Sequence, residues 1–192
     1  MELVKNLKQS KLIRNVFLIL MGSIVLAVSS KLKIPFYPVP MTMQTLVVLL
    51  IGVLFGWKLG IATISLYLFE GIIGLPVFAG TPEKGLGLVY FTGPTMGYLL
   101  GFIPAVFFSG FLRVNFKYNL IIRFMLNFAV FTFSVSFIYI FGLVWLFKFV
   151  PIEQLLALGV LPFLPAEMLK ISILSIFLTI LNKDTLSWRS LR

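Results

Sequence analysis

Apolar residues run along this chain in long blocks rather than in alternation. The blocks cover about residues 12–30, 43–55, 59–73, 94–112, 120–149 and 166–181, and polar or proline- and glycine-rich stretches separate them. A helix needs about 20 residues to cross a bilayer, so 192 residues leave room for about six spans and little else. The pattern predicts an all-α integral membrane protein with six transmembrane helices. Gly52, Gly56 and Gly60 straddle the junction of the second and third blocks, with Trp57 and Lys58 inside it. So short a turn predicts two antiparallel neighbours.

Three connections are irregular. The first, from Lys31 to Thr42, holds Pro35, Pro38 and Pro40, which exclude a regular helix there. Gly74–Gly101 is the longest, dense in glycine, with Glu83 and Lys84 side by side and polar-tipped rings at Tyr90 and Tyr98. A loop of that length in so apolar a chain is expected to act on something or to cover something that does. The third, Val150–Pro162, follows the long fifth block.

Composition supports the membrane reading and narrows the chemistry. The chain is 60% hydrophobic and only 11% charged, against about 25% charged residues in soluble domains. Its net charge of +10 lies at the ends of apolar blocks, where it reads as topology and lipid-headgroup contact rather than nucleic-acid binding. Lys5, Lys8, Lys11, Arg14, Lys58, Arg113, Lys117, Arg123, Lys183, Arg189 and Arg192 fall on one side, and Lys31, Lys33, Lys84 and Lys148 on the other. The richer side faces the cytoplasm, which predicts that both termini are cytoplasmic and that the three irregular connections share the outer face. The first block is long for a signal peptide and reads as a retained helix.

There is no cysteine and no histidine, which removes thiol chemistry, the commonest metal ligands and the most frequent general base. No phosphate-binding loop occurs, and Gly85–Gly87 fails the dinucleotide fingerprint because Tyr90 stands where the third glycine belongs. No cofactor is expected, and uphill transport would take its energy from a partner. A membrane-embedded enzyme acting on lipid is a competing class that these absences disfavour.

Two features carry candidate chemistry. Glu167 and Lys170 are three apart near the start of the last block, so they share a helix face. An acceptor and a donor side by side suit a head group presenting N–H and C=O together, such as a urea or amide; alternatively, the two form an intrahelical ion pair. Ser23 and Ala27 make a small-residue pair on the first helix, suited to close packing within the chain or to docking a partner. Glu70, near the far end of the third block, either faces the interior or lies at the membrane surface. Gly93, Gly97 and Gly101 form a similar small face at the start of the fourth block.

The stretches IPFYPVPMTMQTL, EGIIGLPVFAGTPEKGLG, GPTMGYLLGF and PFLPAEMLK closely resemble the BioY family, the substrate-binding (S) components of energy-coupling-factor (ECF) biotin transporters. The resemblance spans Ile34–Gly101 and Pro162–Lys170. It implies a six-helix S-component-like fold in a bacterial cytoplasmic membrane, with an outer biotin pocket lidded by loops. It also implies a transmembrane coupling (T) protein and two ATPases as partners; S components for other small vitamins share this architecture. The family's acid and lysine, carried onto Glu167 and Lys170, contact the ureido end of biotin. This chain has PAE-x-x-K where PGD-x-x-K is usual, so its acid is one methylene longer. Lys84 is the candidate for the biotin carboxylate, and Tyr90, Tyr98, Gln44, Phe36 and Tyr37 are candidate pocket walls. Docking through small residues of the first helix falls on Ser23 and Ala27.

Overall fold

The structure, a computed structural model, describes residues 2–34, 37–112, 114 and 118–181. Phe36 and the basic residues Arg113, Lys117, Lys183, Arg189 and Arg192 lie outside the described residues. In chain order the elements are α1 (Glu2–Lys31), β1 (Lys33–Ile34), β2 (Met41–Thr42), α2 (Gln44–Ile72), α3 (Leu88–Phe91), α4 (Met96–Phe111), α5 (Leu120–Leu146), α6 (Ile152–Gly159) and α7 (Leu164–Ile180).

The 29 residues of α2 are not one straight helix. Gly56 has φ 77° and ψ 169°, a conformation only glycine adopts readily, and the helix breaks there. Along a straight helix Gln44 and Tyr67 would stand roughly 34 Å apart, yet Gln44 Nε2 lies 2.7 Å from Tyr67 Oη. The chain therefore doubles back at Gly56, and the limbs 44–55 and 57–72 run antiparallel. A Cβ on Gly60 would come within 3.7 Å of the Gly52 Cα, so the glycines allow the close crossing.

By length and composition, residues 11–31, 44–72 and 120–146 each meet what a membrane span needs, although 44–72 is folded in two at Gly56. A fourth span arises if α6 and α7, bent by 40° at a short break, are taken together, and α4 is a shorter apolar helix. Large apolar side chains point outward along the bundle, among them Phe17, Ile24 and Val28 on α1, Ile121 and Val144 on α5, and Leu169 and Ile180 on α7. Such a surface needs lipid rather than water around it.

Several details differ from the sequence pattern. α1 starts ten residues before its apolar block, and α5 ends at Leu146. The long loop contains the single turn α3, and the third connection contains α6. In the first connection, Lys33 pairs with Thr42 and Ile34 with Met41 in a small antiparallel ribbon. The prolines confine pairing to the ends of that segment.

Glycine lets the helices approach closely. A Cβ on Gly97 would stand 2.4 Å from Phe141 O, and one on Gly101 2.6 Å from the Ile138 Cα. The glycine face of α4 thus seats on α5. Gly52 meets α4 in the same way: a Cβ there would fall 2.0 Å from Ser109 Oγ and 2.7 Å from Val106 O. Gly52→Ala is expected to destabilise the fold by about 1–3 kcal/mol through overpacking. This would register as a lower unfolding temperature of the detergent-solubilised protein; an unchanged temperature would mean that α2 and α4 can separate without loss.

The core forms two clusters. One packs Leu26, Val48, Tyr67, Phe78, Tyr90, Tyr98 and Phe102 beneath the long loop. The other packs Leu49, Val53, Phe131, Val135, Ile171 and Leu174 between α2, α5 and α7. α7 is thereby pinned along one side, with its first turn facing the first cluster.

Candidate functional site

The last helix starts cleanly because Pro165 sits in its first turn, where its missing N–H is no loss. That places Glu167 in the first turn, where the helix dipole favours a negative charge. Glu167 and Lys170 are 4% and 3% exposed, and Lys170 Nζ lies 2.6 Å from Glu167 Oε1. Ions this deeply buried persist only when paired and hydrogen-bonded.

The remaining partners come from the end of β2 and the start of α2, about 125 residues earlier. Lys170 Nζ donates to Thr42 O at 2.8 Å and to Thr45 Oγ1 at 2.9 Å. Thr45 Oγ1 in turn donates to Glu167 Oε1 at 2.9 Å. An ammonium has three protons, and here they meet three acceptors: Thr42 O, Thr45 Oγ1 and Glu167 Oε1. Lys170 is saturated by the protein. Glu167 Oε1 takes two hydrogen bonds, whereas its Oε2 is buried and has no hydrogen-bond partner. Tyr139 interacts with this carboxylate through its hydroxyl, although no bond of full hydrogen-bond geometry reaches Oε2. An unpaired buried carboxylate oxygen is a strong acceptor awaiting a donor.

Glu167 lines an inner cavity of about 60 Å³ at one end of the bundle. Its walls are Val39–Thr42 of the first connection, Gln44 and Thr45 of α2, Ala79, Tyr90 and Thr95 of the long loop, Tyr98, Leu99 and Phe102 of α4, Ile138 and Tyr139 of α5, and Phe163. Tyr90 and Thr95 also border an outer hollow of about 340 Å³, which Tyr37, Pro38, Lys84 and Phe149 help to line. The two spaces lie side by side, with Tyr90 and Thr95 lining both. Together they reach the range of small-molecule sites, about 300–1,000 Å³.

The long loop is held in place over this site. Lys31 Nζ, at the end of α1, donates to Phe78 O, Thr81 O and Thr81 Oγ1 at 3.0–3.2 Å. Ser30 Oγ and Tyr67 Oη both donate to Val77 O, at 2.7 and 3.0 Å. Tyr90 Oη donates to Ala79 O at 2.9 Å, and burial raises its pKa above the ordinary phenol range, so it stays a donor. Tyr98 Oη donates to Gly159 O at 2.8 Å. Both hydroxyls are committed to backbone carbonyls, leaving the two rings as walls.

The expected site residues therefore separate. Glu167, Gln44, Tyr90 and Tyr98 come together around the inner cavity. Lys84 and Tyr37 stand at the outer hollow, Tyr37 being 88% exposed. Lys170 stands behind Glu167 and borders a different, apolar groove. Ser23 is fully buried and donates to Glu70, and Ala27 packs against the core, so the small-residue pair of α1 faces inward. That inward face is packing between α1 and α2; the outward face of α1 is carried by larger residues such as Leu20, Ile24 and Val28. The sequence pattern passed over Thr45, Tyr139, Thr95 and Tyr67. A tyrosine inside an otherwise apolar helix was the available signal for Tyr67 and Tyr139, because a buried hydroxyl needs a partner. No group of three or more His, Cys, Asp or Glu side chains able to hold a metal ion occurs among the described residues.

These features define a helical membrane protein with a ligand-sized cleft at one end of its bundle. The BioY family profile matches residues 4–186. "Probable biotin transporter BioY" of Pyrococcus horikoshii is 34% identical over 75% of this chain and 81% of its own. "Biotin transporter BioY2" of Lactococcus lactis is 34% identical over 83% of this chain and 85% of its own. The fold is similar to a crystal structure of the S-component for biotin from an ECF-type ABC transporter, with a TM-score of 0.72 at 24% identity over 88% of this chain and 90% of that one. The chain belongs to the BioY family.

Proposed function

We propose that this protein binds biotin as the substrate-specific subunit of an ECF-type transporter and takes part in its uptake across a bacterial cytoplasmic membrane. The observation that carries the reading is Glu167 Oε2, a buried carboxylate oxygen without a protein partner at the wall of the inner cavity. A cyclic urea supplies the N–H donors that such an oxygen lacks. Further support comes from the relatives named as biotin transporters and from the likeness to a biotin S-component fold. The ureido ring occupies the inner cavity, and the valerate chain leads past Tyr90 and Thr95 into the outer hollow.

In this reading Lys170 pairs with Glu167 and holds it in register, and Lys84 attracts the carboxylate from the rim. The chain has no nucleotide motif of its own, so two ATPases, linked through a transmembrane coupling protein, would supply the energy. Both termini and the basic loop ends lie in the cytoplasm, with the cleft facing out, in keeping with the distribution of lysine and arginine.

Titration of the purified protein with biotin tests the reading; a folded sample that binds no biotin, or one from which only a different vitamin displaces a probe, overturns it. Lys84 is exposed, so its charge is worth about 1 kcal/mol or less. Lys84→Ala is expected to weaken biotin binding by no more than about tenfold and to leave binding of biotin methyl ester unchanged. A larger loss than that of Lys170→Ala would make the loop the main anchor.

A further inference from the structure

A groove of about 500 Å³ opens on the side of the bundle, behind the Glu167–Lys170 pair. One wall is formed by Leu32 and Lys33, where α1 gives way to the ribbon, and the other by Leu169 and Ile173 of α7. Met43 and Leu46, at the start of α2, lie between them. Both α1 and α7 pack on α2, and the groove is the space left between the two. Leu32, Leu169 and Ile173 are each more than half exposed. In a chain embedded in a bilayer, such side chains meet hydrocarbon rather than water.

The shape of the groove narrows what can enter it. It runs along α7 from Ala166 to Ile173, roughly 10 Å at 1.5 Å per residue. Its volume over that length gives a cross-section of about 50 Å². A helix with its side chains is about 10–12 Å across and needs more room than that, whereas extended acyl chains are slender enough. The groove also has a polar end, because Lys33 stands exposed in the ribbon. The ammonium of nearby Lys31 is engaged by Phe78 O, Thr81 O and Thr81 Oγ1, so Lys33 is the cation this end offers. A lysine at the end of a membrane helix, above an apolar channel, matches an anionic phosphate above its acyl chains.

We propose that this groove binds one phospholipid of the surrounding bilayer, with acyl chains between α1 and α7 and an anionic head group at Lys33. The site backs onto the ligand cleft. Thr42 borders both the groove and the inner cavity. Lys170 borders the groove, yet its three protons go to Thr42 O, Thr45 Oγ1 and Glu167 Oε1. What it presents to the lipid is therefore its hydrocarbon stem. Acyl chains packed there keep water from the buried ion pair and brace Lys170 and Thr42. Lipid occupancy thus supports ligand binding from behind; this coupling rests on the biotin reading, and the lipid site itself does not.

Native mass spectrometry tests the site on detergent-solubilised protein, delipidated and then offered phosphatidylglycerol or phosphatidylcholine. Wild-type protein is expected to retain one phospholipid and to favour the anionic one by about fivefold, the worth of one interfacial lysine. Lys33→Gln should bring that preference close to one. Ala166→Phe and Leu169→Trp narrow the groove and should cut retention of either lipid by about tenfold or more through lost apolar burial. Val144→Trp adds bulk to the outward face of α5 and should leave retention unchanged. Thermal unfolding identifies a variant that has lost its fold. Leu169 is 60% exposed, so Leu169→Trp keeps the test decisive if Ala166→Phe does not fold. No retained lipid in the wild type, or equal retention in the groove variants, overturns the site. A wild-type dimer that the groove variants split into monomers also overturns it, by making a second copy the occupant. Biotin titration then reads the coupling. Delipidated wild-type protein should bind biotin several-fold more weakly than protein with phosphatidylglycerol restored, and Leu169→Trp should bind equally in both states. Wild-type affinity that ignores lipid overturns the coupling. Absence of biotin binding in every sample overturns the biotin reading and leaves the lipid result standing.

Discussion

Glu167→Gln is expected to weaken biotin binding by about a hundredfold or more, and to lower stability as well because the buried Lys170 loses its countercharge. What decides the outcome is which oxygen is free. Oε1 receives protons from Lys170 and Thr45, so an amide at this position must keep its oxygen there. Its NH₂ group would then replace Oε2 at the cavity wall. A donor would face the ligand's own N–H groups, and a charge-assisted bond worth about 1.5–3 kcal/mol would be lost as well. Each 1.4 kcal/mol is a factor of ten in affinity, so bond loss and repulsion together reach two decades. Glu167→Asp keeps the charge and should retain measurable binding. Isothermal titration with biotin, beside a thermal unfolding curve, measures both; undiminished affinity in Glu167→Gln would remove Glu167 from the site.

Lys170→Met produces the largest expected change in stability. It removes the countercharge of a carboxylate that is 4% exposed and leaves Thr42 O without its ammonium donor. Breaking a buried ion pair from one side typically costs about 3–5 kcal/mol. The protein should unfold at a markedly lower temperature and lose biotin binding. The double variant Glu167→Gln with Lys170→Met removes both charges. Its stability should return most of the way, because replacing a buried pair by neutral groups is often nearly neutral. Its binding should not return. Equal instability in the single and double variants would show that Lys170 serves packing through its methylene stem rather than the charge of Glu167.

Much of the architecture is legible in linear pattern. Blocks of apolar residues mark the long helices because a bilayer demands continuous apolar length. The turn at Gly56 is visible as a glycine repeat with Trp57 and Lys58 inside it. The glycine face of α4 is readable as a packing surface, though its partner, α5, is not. The inward direction of Ser23 was not readable, because a small-residue pair looks the same whether it meets its own chain or another. Only the Glu70 carboxylate beside its hydroxyl identifies the inside. Nor does linear pattern indicate α6 or the β-ribbon, both short and dependent on neighbours for stability.

By itself the sequence determined that this is a helical membrane protein of the BioY kind, and that Glu167 and Lys170 share one face of its last helix. Spacing of three residues guarantees that proximity in any helix, whatever surrounds it. The tertiary structure alone decided how their protons are shared. Thr42 and Thr45, brought from more than 120 residues away, saturate Lys170 and leave one oxygen of Glu167 unpaired. Helical periodicity is a local property of the backbone, whereas the pairing of a buried donor or acceptor depends on every element packed around it.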